Sequence, residues 1–68
     1  MTKYIIKRKV MIDTVPMDVY VKLYLPVSAN KTKVEYTTDK EDAFLFSKEE
    51  LEVLPTTLKD DDVIEVHI

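Results

Sequence analysis

Two side chains near the end of the chain, Glu65 and His67, are of types that bind metal ions. Residues two positions apart in a strand point to one face and lie about 7 Å apart, so a single ion fits between them. An extended chain would place Asp62 roughly 16 Å from His67, which leaves Asp60, Asp61 and Asp62 as separate oxygen ligands for a hard cation. A zinc site would need further ligands from elsewhere in the fold or from a second copy. No other cofactor is expected.

Several residue types that most enzymes need are missing from the 68 residues, which include no cysteine, no glycine and one histidine. Without cysteine there is no thiolate nucleophile and no disulfide framework. Without glycine there is no phosphate-binding loop and no dinucleotide fingerprint, because those loops need backbone conformations that glycine adopts most readily. The two serines are Ser28 and Ser47, and Ser47 is expected to cap a helix. The composition therefore indicates a protein that is not an enzyme and has no catalytic residues.

The charges are divided along the chain. Residues 1–34 carry seven Lys or Arg against two acids, a net +5, and residues 35–68 carry three Lys against eleven acids, a net −8. Carboxylates spaced like nucleic-acid phosphates could occupy a basic groove on a nuclease or polymerase, with association accelerated by electrostatic steering. The candidate residues of this acidic surface are Glu41, Asp42, Glu49, Glu52, Asp60, Asp61 and Asp62. The alternative is a solvated surface whose acids also stabilise helix N-termini. The sequence leaves open whether the two halves of the chain neutralise each other or form separate faces.

A second candidate surface is basic. Its residues are Lys3, Lys7, Arg8 and Lys9, with Tyr20 and Tyr24 expected to be exposed on the neighbouring strand. Such a surface can bind single-stranded nucleic acid, because bases stack on aromatic rings while the cations contact phosphates. Two other interpretations remain open. Lysines on an outer strand also prevent edge-to-edge aggregation, and the two tyrosines are equally suited to a protein contact.

The first half of the chain must supply the strands that position these residues. Alternation of apolar and polar residues predicts a strand over 3–12, a reversal over 13–16 and an antiparallel strand over 17–27. One face of that second strand is expected to be buried along its whole length. Its residues are Met17, Val19, Val21, Leu23, Leu25 and Val27.

A further turn and a third strand follow. The turn covers residues 28–31, and Asn30 is the residue expected to adopt a left-handed conformation, since no glycine is present. The third strand is predicted over 32–38. Its Val34 and Tyr36 are expected to face the core.

The best-specified local structure lies in the second half. Ser47–Glu50 is a full capping box, in which the serine hydroxyl and the glutamate carboxylate satisfy backbone N–H groups at the start of a helix. Phe46 and Leu51 are placed to form the hydrophobic staple that accompanies such a box. The helix is expected to end at Leu54, because Pro55 follows.

The remaining segments complete an α+β pattern. Asp39 is expected to cap a single helical turn, residues 44–46 form a short apolar link, residues 56–61 form a polar loop, and residues 62–68 form a last strand. The order β-β-β-α-β predicts a small, mainly antiparallel sheet of about four strands with one short helix. At this length one domain, 1–68, is expected.

The sequence predicts a cytoplasmic protein with no membrane partner. No apolar run approaches the ~20 residues needed to span a bilayer. The first residues are basic but lack the apolar segment of a secretory signal.

The segment Tyr36–Glu50 reads YTTDKEDAFLFSKEE. An aromatic-Thr-x-Asp strand end that leads through an Ala and a Phe into a Ser-capped acidic helix resembles a pattern in small phage and prophage proteins of Gram-positive bacteria. Lys3–Lys7 resembles their usual first strand. The resemblance covers roughly residues 3–54 and contains no catalytic residue. It implies, by analogy, an inhibitor that acts on host machinery in the host cytoplasm, as anti-CRISPR proteins do.

These observations favour a non-enzymatic, phage-type interaction protein that binds a host protein. The expected partner is a nucleic-acid enzyme such as a CRISPR nuclease, bound through the acidic surface with a contribution from Tyr20 and Tyr24. One alternative is a nucleic-acid-binding accessory protein that uses the basic surface. The other is a structural or assembly subunit, which includes a homodimer that pairs exposed strand edges.

Overall fold

The computed structural model describes residues 1–29 and 31–68, and the side chains of residues 56 and 57 lie outside that description. Four strands form one antiparallel sheet in the order β3-β2-β1-β4. The elements in chain order are β1 (Thr2–Ile12), β2 (Val15–Ser28), β3 (Lys31–Thr37), a 3-10 helix (Lys40–Asp42), α1 (Lys48–Glu52), α2 (Thr56–Lys59) and β4 (Asp62–His67). The predicted α+β class, with a four-stranded antiparallel sheet, is confirmed.

The turn between β1 and β2 is tighter than the sequence predicted. It consists of Asp13 and Thr14, which both have positive φ angles, 50° and 67°. Two residues in this conformation give the turn whose twist matches that of the flanking strands. Pro16, expected within the reversal, instead lies in β2 opposite Met11.

The prediction that one face of β2 is buried along its whole length is wrong. A register shift against β3 between Val21 and Leu23 leaves Lys22 as an extra residue. Such a bulge changes which of the later residues face the core. Val21 is fully buried before the bulge, and Tyr24 packs on the core after it. The expected core residues that are exposed instead are Met17, Leu25 and Val27.

The third strand agrees more closely with expectation. Val34 packs on the core, and Tyr36 lies on the same face, opposite the buried Val21, but is 39% exposed at the rim. The conformation predicted for Asn30 lies outside the described residues.

Strands β1 and β2 separate in the half of the sheet that holds the core, and the segment Phe44–Phe46 fills the gap between them. The N–H of Phe46 donates to the carbonyl oxygen of Tyr4 at 2.6 Å, and the N–H of Tyr4 donates back to Phe46 at 2.9 Å. On the other side, the N–H of Phe44 donates to the carbonyl oxygen of Val21 at 2.7 Å. The apolar link predicted from the sequence therefore joins the sheet.

The core forms around Phe46, which is 0% exposed. Its ring lies edge-on to that of Phe44, with centroids 4.7 Å apart, and 5.2 Å from that of Tyr24. The buried residues of this cluster are Ile6, Val21, Phe46, Leu54 and Leu58. Ring pairs at these distances add attraction beyond the area that they bury.

The segment 56–61, expected to be a polar loop, contains the one-turn helix α2. Leu58 in α2 is 1% exposed and belongs to the core. A single apolar residue in a polar sequence gives no periodicity, so the sequence pattern did not reveal this element.

The predicted capping box at the start of α1 is confirmed. The hydroxyl of Ser47 accepts from the N–H of Glu50 at 3.2 Å, and the Glu50 carboxylate accepts from the N–H of Ser47 at 2.9 Å. Asp39 caps the 3-10 helix in the same manner, with its carboxylate accepting from the N–H of Glu41 at 3.0 Å. Leu51, the expected staple partner of Phe46, packs against the core cluster.

Replacement of Ser47 by alanine is expected to lower the free energy of unfolding by about 1 kcal/mol, the usual cost of losing an N-cap hydroxyl. For a domain of this size that loss lowers Tm by about 4–8 °C, which thermal unfolding followed by circular dichroism measures. Ser28→Ala is the matched control, because Ser28 is exposed at the end of β2 and caps no helix. Equal Tm values for the two variants would contradict the assigned role.

Candidate functional site

Helix α1 presents acids on its outer face. Leu51 and the following Leu54 pack on the core, whereas Glu49, Glu52 and the C-cap residue Val53 are exposed. Glu52 and Val53 lie three and four positions after Glu49, a spacing that brings each of them close to Glu49. Val53 is 72% exposed, so an apolar side chain is presented one helical turn beyond the Glu49 carboxylate.

The acids of the 3-10 helix, Glu41 and Asp42, are also exposed, but they lie at a different place. Glu41 borders a cleft of about 290 Å³ on the face of the sheet that carries Ile5. The core and α1 lie on the side of Ile6, the next residue of β1. Successive residues of a strand point to opposite faces, so the 3-10 helix and α1 carry their acids on the two sides of the sheet.

The three aspartates at the start of β4 meet the basic residues of β1. A cleft of about 220 Å³ is lined by Lys7, Arg8, Lys9, Asp60, Asp61 and Asp62. In the sheet Lys7 lies directly opposite Asp62. The most basic and the most acidic segments of the chain thus neutralise each other here, which answers in part the question that the sequence left open.

Arg8 and Asp61 form the strongest polar contact of this cleft. The Arg8 Nε donates to both carboxylate oxygens of Asp61, at 3.0 and 3.1 Å. The side chain of Asp61 is 10% exposed and that of Arg8 is 33% exposed. The guanidinium also lies 5.2 Å from the centroid of the Tyr36 ring, a cation–π distance. The hydrogen bond to Asp61 raises the pKa of Arg8 above its ordinary value.

The sequence did not reveal that Arg8 pairs with Asp61, although it held a signal. Arg8 interrupts the apolar face formed by Tyr4, Ile6 and Val10. A charge on a core-facing position requires a partner, because an unpaired buried charge is costly. The partner is 53 positions further along the chain, so only the fold identifies it.

The other cations of the basic surface are also placed beside neutralising or apolar residues. Lys9 lies opposite Asp18 on β2, and Lys3 lies opposite Val66 on β4. Asp18 therefore lowers the positive charge that β1 presents at Lys9, whereas Val66 carries no charge to offset that of Lys3.

The two tyrosines of the candidate surfaces differ in their surroundings. Tyr24, expected to be exposed, packs against the core and the rings of Phe44 and Phe46. The bulge at Lys22 is the physical reason, because it turns Tyr24 toward the core face. Tyr20 is half-buried in the middle of the sheet, opposite Lys7.

The candidate metal ligands lie together at the exposed end of β4. His67 Nε2 is 3.4 Å from the nearer carboxylate oxygen of Glu65, and His67 Nδ1 is 3.5 Å from the hydroxyl of Thr2. Both ring nitrogens thus have neighbours within the chain. In the part of the chain that the structure describes, no three His, Cys, Asp or Glu residues are placed to share an ion.

No protein-family model, curated protein or solved structure matches this chain. Among residues 1–29 and 31–68, no helix has the length and apolar character needed to cross a membrane.

Proposed function

We propose that this chain is a non-enzymatic interaction protein that binds a partner protein through the acids exposed on α1. The observation that carries the proposal is the distribution of charge. The cations of β1 lie opposite acids at Lys7 and Lys9 and in the Arg8 ion pair. Residues 47–54, which contain α1, by contrast hold three acids against one lysine, a net charge of −2.

The proposed partner surface is basic, as in the groove of a protein that handles nucleic acid. Carboxylates on a short helix present negative charge to such a groove in place of phosphates. Electrostatic attraction then accelerates association with the partner, as it does for phosphates. The resemblance of residues 36–50 to a pattern in small phage proteins of Gram-positive bacteria supports a host nuclease, such as a CRISPR nuclease, as the class of target. That step rests on analogy.

An apolar side chain among the acids supports protein binding in particular. Val53, the C-cap residue of α1, lies four positions after Glu49 and directly follows Glu52 in the chain. Protein interfaces combine a desolvated apolar contact with charged residues around it. Phosphate mimicry by charge alone would not require this side chain to be exposed.

The alternative, nucleic-acid binding by β1, receives less support from the geometry. Binding of single-stranded nucleic acid on β1 needs available cations and exposed aromatic rings. In the structure Lys7 and Lys9 lie opposite aspartates, and Tyr24 packs on the core. Phosphate binding scales with the number of available cations, so the register weakens this mode.

The experiment is affinity capture from a lysate of a Gram-positive host, followed by binding kinetics with the captured protein. A variant that carries Glu49→Gln and Glu52→Gln is expected to associate about tenfold more slowly, with a weaker dependence on salt. The control carries Glu35→Gln and Glu65→Gln, which removes the same charge from exposed positions on β3 and β4. It is expected to bind nearly as the unaltered chain does.

Two results would overturn the proposal. The first is equal loss of binding in the two double variants, which would show that overall charge matters and α1 does not. The second is a mobility shift of single-stranded DNA at low salt that survives both double variants, which would favour the basic surface instead.

A further inference from the structure

Strand β3 forms one edge of the sheet, because among the described strands it pairs with β2 alone. Both register shifts in this pairing add their extra residue to β2, so β3 itself is regular over Lys31–Thr37. In a regular strand, alternate residues direct their N–H and C=O groups to one side, and the residues between them to the other. Those that point away from β2 form an edge that another strand can pair with.

The residues of β3 that point out of the sheet can be identified from the contacts of β2. The carbonyl oxygen of Val21 accepts from the N–H of Phe44 at 2.7 Å, on the side of β2 that faces away from β3. Tyr36 lies opposite Val21, so its own N–H and C=O groups point away from β2. Pro26, which has no N–H, lies opposite Thr32, where the same alternation requires no hydrogen bond between the two strands. The residues that point to the open edge are therefore Thr32, Val34 and Tyr36.

We propose that the open edge of β3 pairs, antiparallel, with the same edge of a second copy of this chain. A two-fold axis at Val34, perpendicular to the sheet, places Val34 opposite its own copy and Thr32 opposite Tyr36 of the other copy. Each of these pairs exchanges two hydrogen bonds, because all three residues point to the edge. The interface is isologous, as expected for a symmetric dimer.

The charges along β3 favour a second copy as the occupant. Lys33 and Glu35 are exposed on the face of the sheet opposite to Val34, and pairing about Val34 sets Lys33 of each copy against Glu35 of the other. These are the pairs without backbone hydrogen bonds, in which side chains lie closest. A shift of the axis by one residue sets Lys33 against Lys33 or Glu35 against Glu35, and like charges directly opposite are destabilising. The charge pattern is therefore self-complementary in this register and not in the adjacent ones.

The length of β3 supports the same register. Val34 is the middle residue of Lys31–Thr37, so pairing about it aligns the two strands from end to end. Beyond Thr37 the chain turns back over the sheet to Phe44, which bonds to Val21 on the far side of β2. The connection that follows β3 therefore leads away from the edge.

Pairing in this register also covers apolar side chains at the rim of the core. Tyr36 is 39% exposed, and the half-buried Val34 packs against the core cluster. In the dimer the two Val34 side chains are neighbours, and each Tyr36 lies diagonal to Val34 of the other copy, a distance that an aromatic side chain spans. The apolar rim of one copy thus continues into that of the other.

The dimer is expected to be weak. One strand pair is a small interface beside the about 1,200–2,000 Å² of stable complexes, so association is expected at high micromolar and not at low micromolar concentrations. Unfolding and partner binding measured at low micromolar concentration then report on the monomer. The proposal does not depend on the acids of α1, so either can fail alone.

Amide hydrogen exchange followed by NMR tests the arrangement residue by residue. The amides of Thr32, Val34 and Tyr36 are expected to exchange quickly at low protein concentration and to become protected at high concentration. Those of Lys33 and Glu35 point toward β2 and are expected to be protected at both. Light scattering on the same samples is expected to show a monomer that becomes a dimer.

Two charge variants test the register. In Lys33→Glu, and likewise in Glu35→Lys, pairing about Val34 sets like charges opposite each other, so each variant is expected to self-associate at least about tenfold more weakly. An equimolar mixture of the two variants is expected to dimerise again, because every cation then lies opposite an acid. Lys40→Glu is the control, since it makes the same change of charge at an exposed position outside β3. It is expected to associate as the unaltered chain does.

Three outcomes contradict the proposal. One is a monomer at every concentration, with fast exchange at Val34 throughout. Another is a dimer in which the two charge variants associate as strongly as the unaltered chain, or whose mixture stays monomeric. The third is a dimer that protects amides of β4 and leaves those of Thr32 and Tyr36 unprotected, which would place the contact at the other edge of the sheet. Both variants alter exposed side chains, so the fold is expected to persist in each of them.

Discussion

Replacement of Phe46 by alanine is expected to lower Tm by at least about 12 °C. Truncation of a fully buried phenylalanine costs about 3–5 kcal/mol, and each kcal/mol shifts Tm by about 4–8 °C in a domain of this size. Phe46 is 0% exposed and packs against two aromatic rings. Its backbone also bridges to β1 through Tyr4, so a cavity here loosens the sheet as well as the core. Total stability of a small domain is about 0.05–0.15 kcal/mol per residue, so the variant is left close to unfolding.

Leu45→Ala is the matched control for this prediction. Leu45 is the preceding residue, but it is 43% exposed and lines the cleft on the opposite face of the sheet. Its truncation is expected to cost about 1 kcal/mol, because little apolar area returns to water. Thermal and urea unfolding of both variants measure the difference. Similar losses for Phe46→Ala and Leu45→Ala would contradict the placement of the core around Phe46.

Local signals in the sequence predicted local structure correctly. The capping box from Ser47 to Glu50 and the cap at Asp39 are contacts between residues two or three positions apart. Such contacts depend on residue type and spacing alone. Alternation likewise located all four strands, because a strand with one buried face imposes a period of two on its residues.

Structure that depends on partners distant in the chain did not follow from the sequence. The bulge at Lys22 exists because β2 pairs with β3 in a shifted register, and alternation along β2 gives no sign of it. The insertion of Phe46 between β1 and β2 joins residues more than 40 positions apart. In both cases the packing of the core overrides the preference of the isolated segment.

For the candidate site, too, the sequence predicted local features but not contacts between residues distant in the chain. The sequence identified the acids that α1 exposes, since their types and helical spacing are local features. It did not identify which acids are engaged elsewhere, and Asp61, one of the predicted partner-binding residues, forms the ion pair with Arg8. The pairing of β4 with β1 determines which acids are engaged, because it brings the aspartates at the start of β4 next to the basic strand.

The ion pair of Arg8 and Asp61 is expected to stabilise the fold more than any exposed pair does. Asp61→Asn should lower the free energy of unfolding by about 1–3 kcal/mol, because it leaves the half-buried guanidinium without its charged acceptor. Arg8→Met should lower the free energy of unfolding by a similar amount. It leaves the Asp61 carboxylate, which is 10% exposed, without its cation. The double variant should be more stable than the sum of the two losses predicts, since neither charge is then left without its partner. Urea unfolding of the four proteins gives the coupling energy, expected to exceed about 1 kcal/mol.

Lys33 and Glu35 provide the control cycle. Their side chains are 59% and 48% exposed and 3.5 Å apart, so the coupling between them is expected to lie within about 0.5 kcal/mol of zero. Both double-mutant cycles remove one cation and one carboxylate, so a difference between their coupling energies reports the effect of burial and not that of charge. Arg8 also lies against Tyr36, so a variant with Tyr36→Leu should reduce the coupling to Asp61 only slightly if the two hydrogen bonds to the carboxylate dominate. Equal coupling energies in the two cycles would show that the register of β4 against β1, and not this ion pair, holds the basic and acidic segments together.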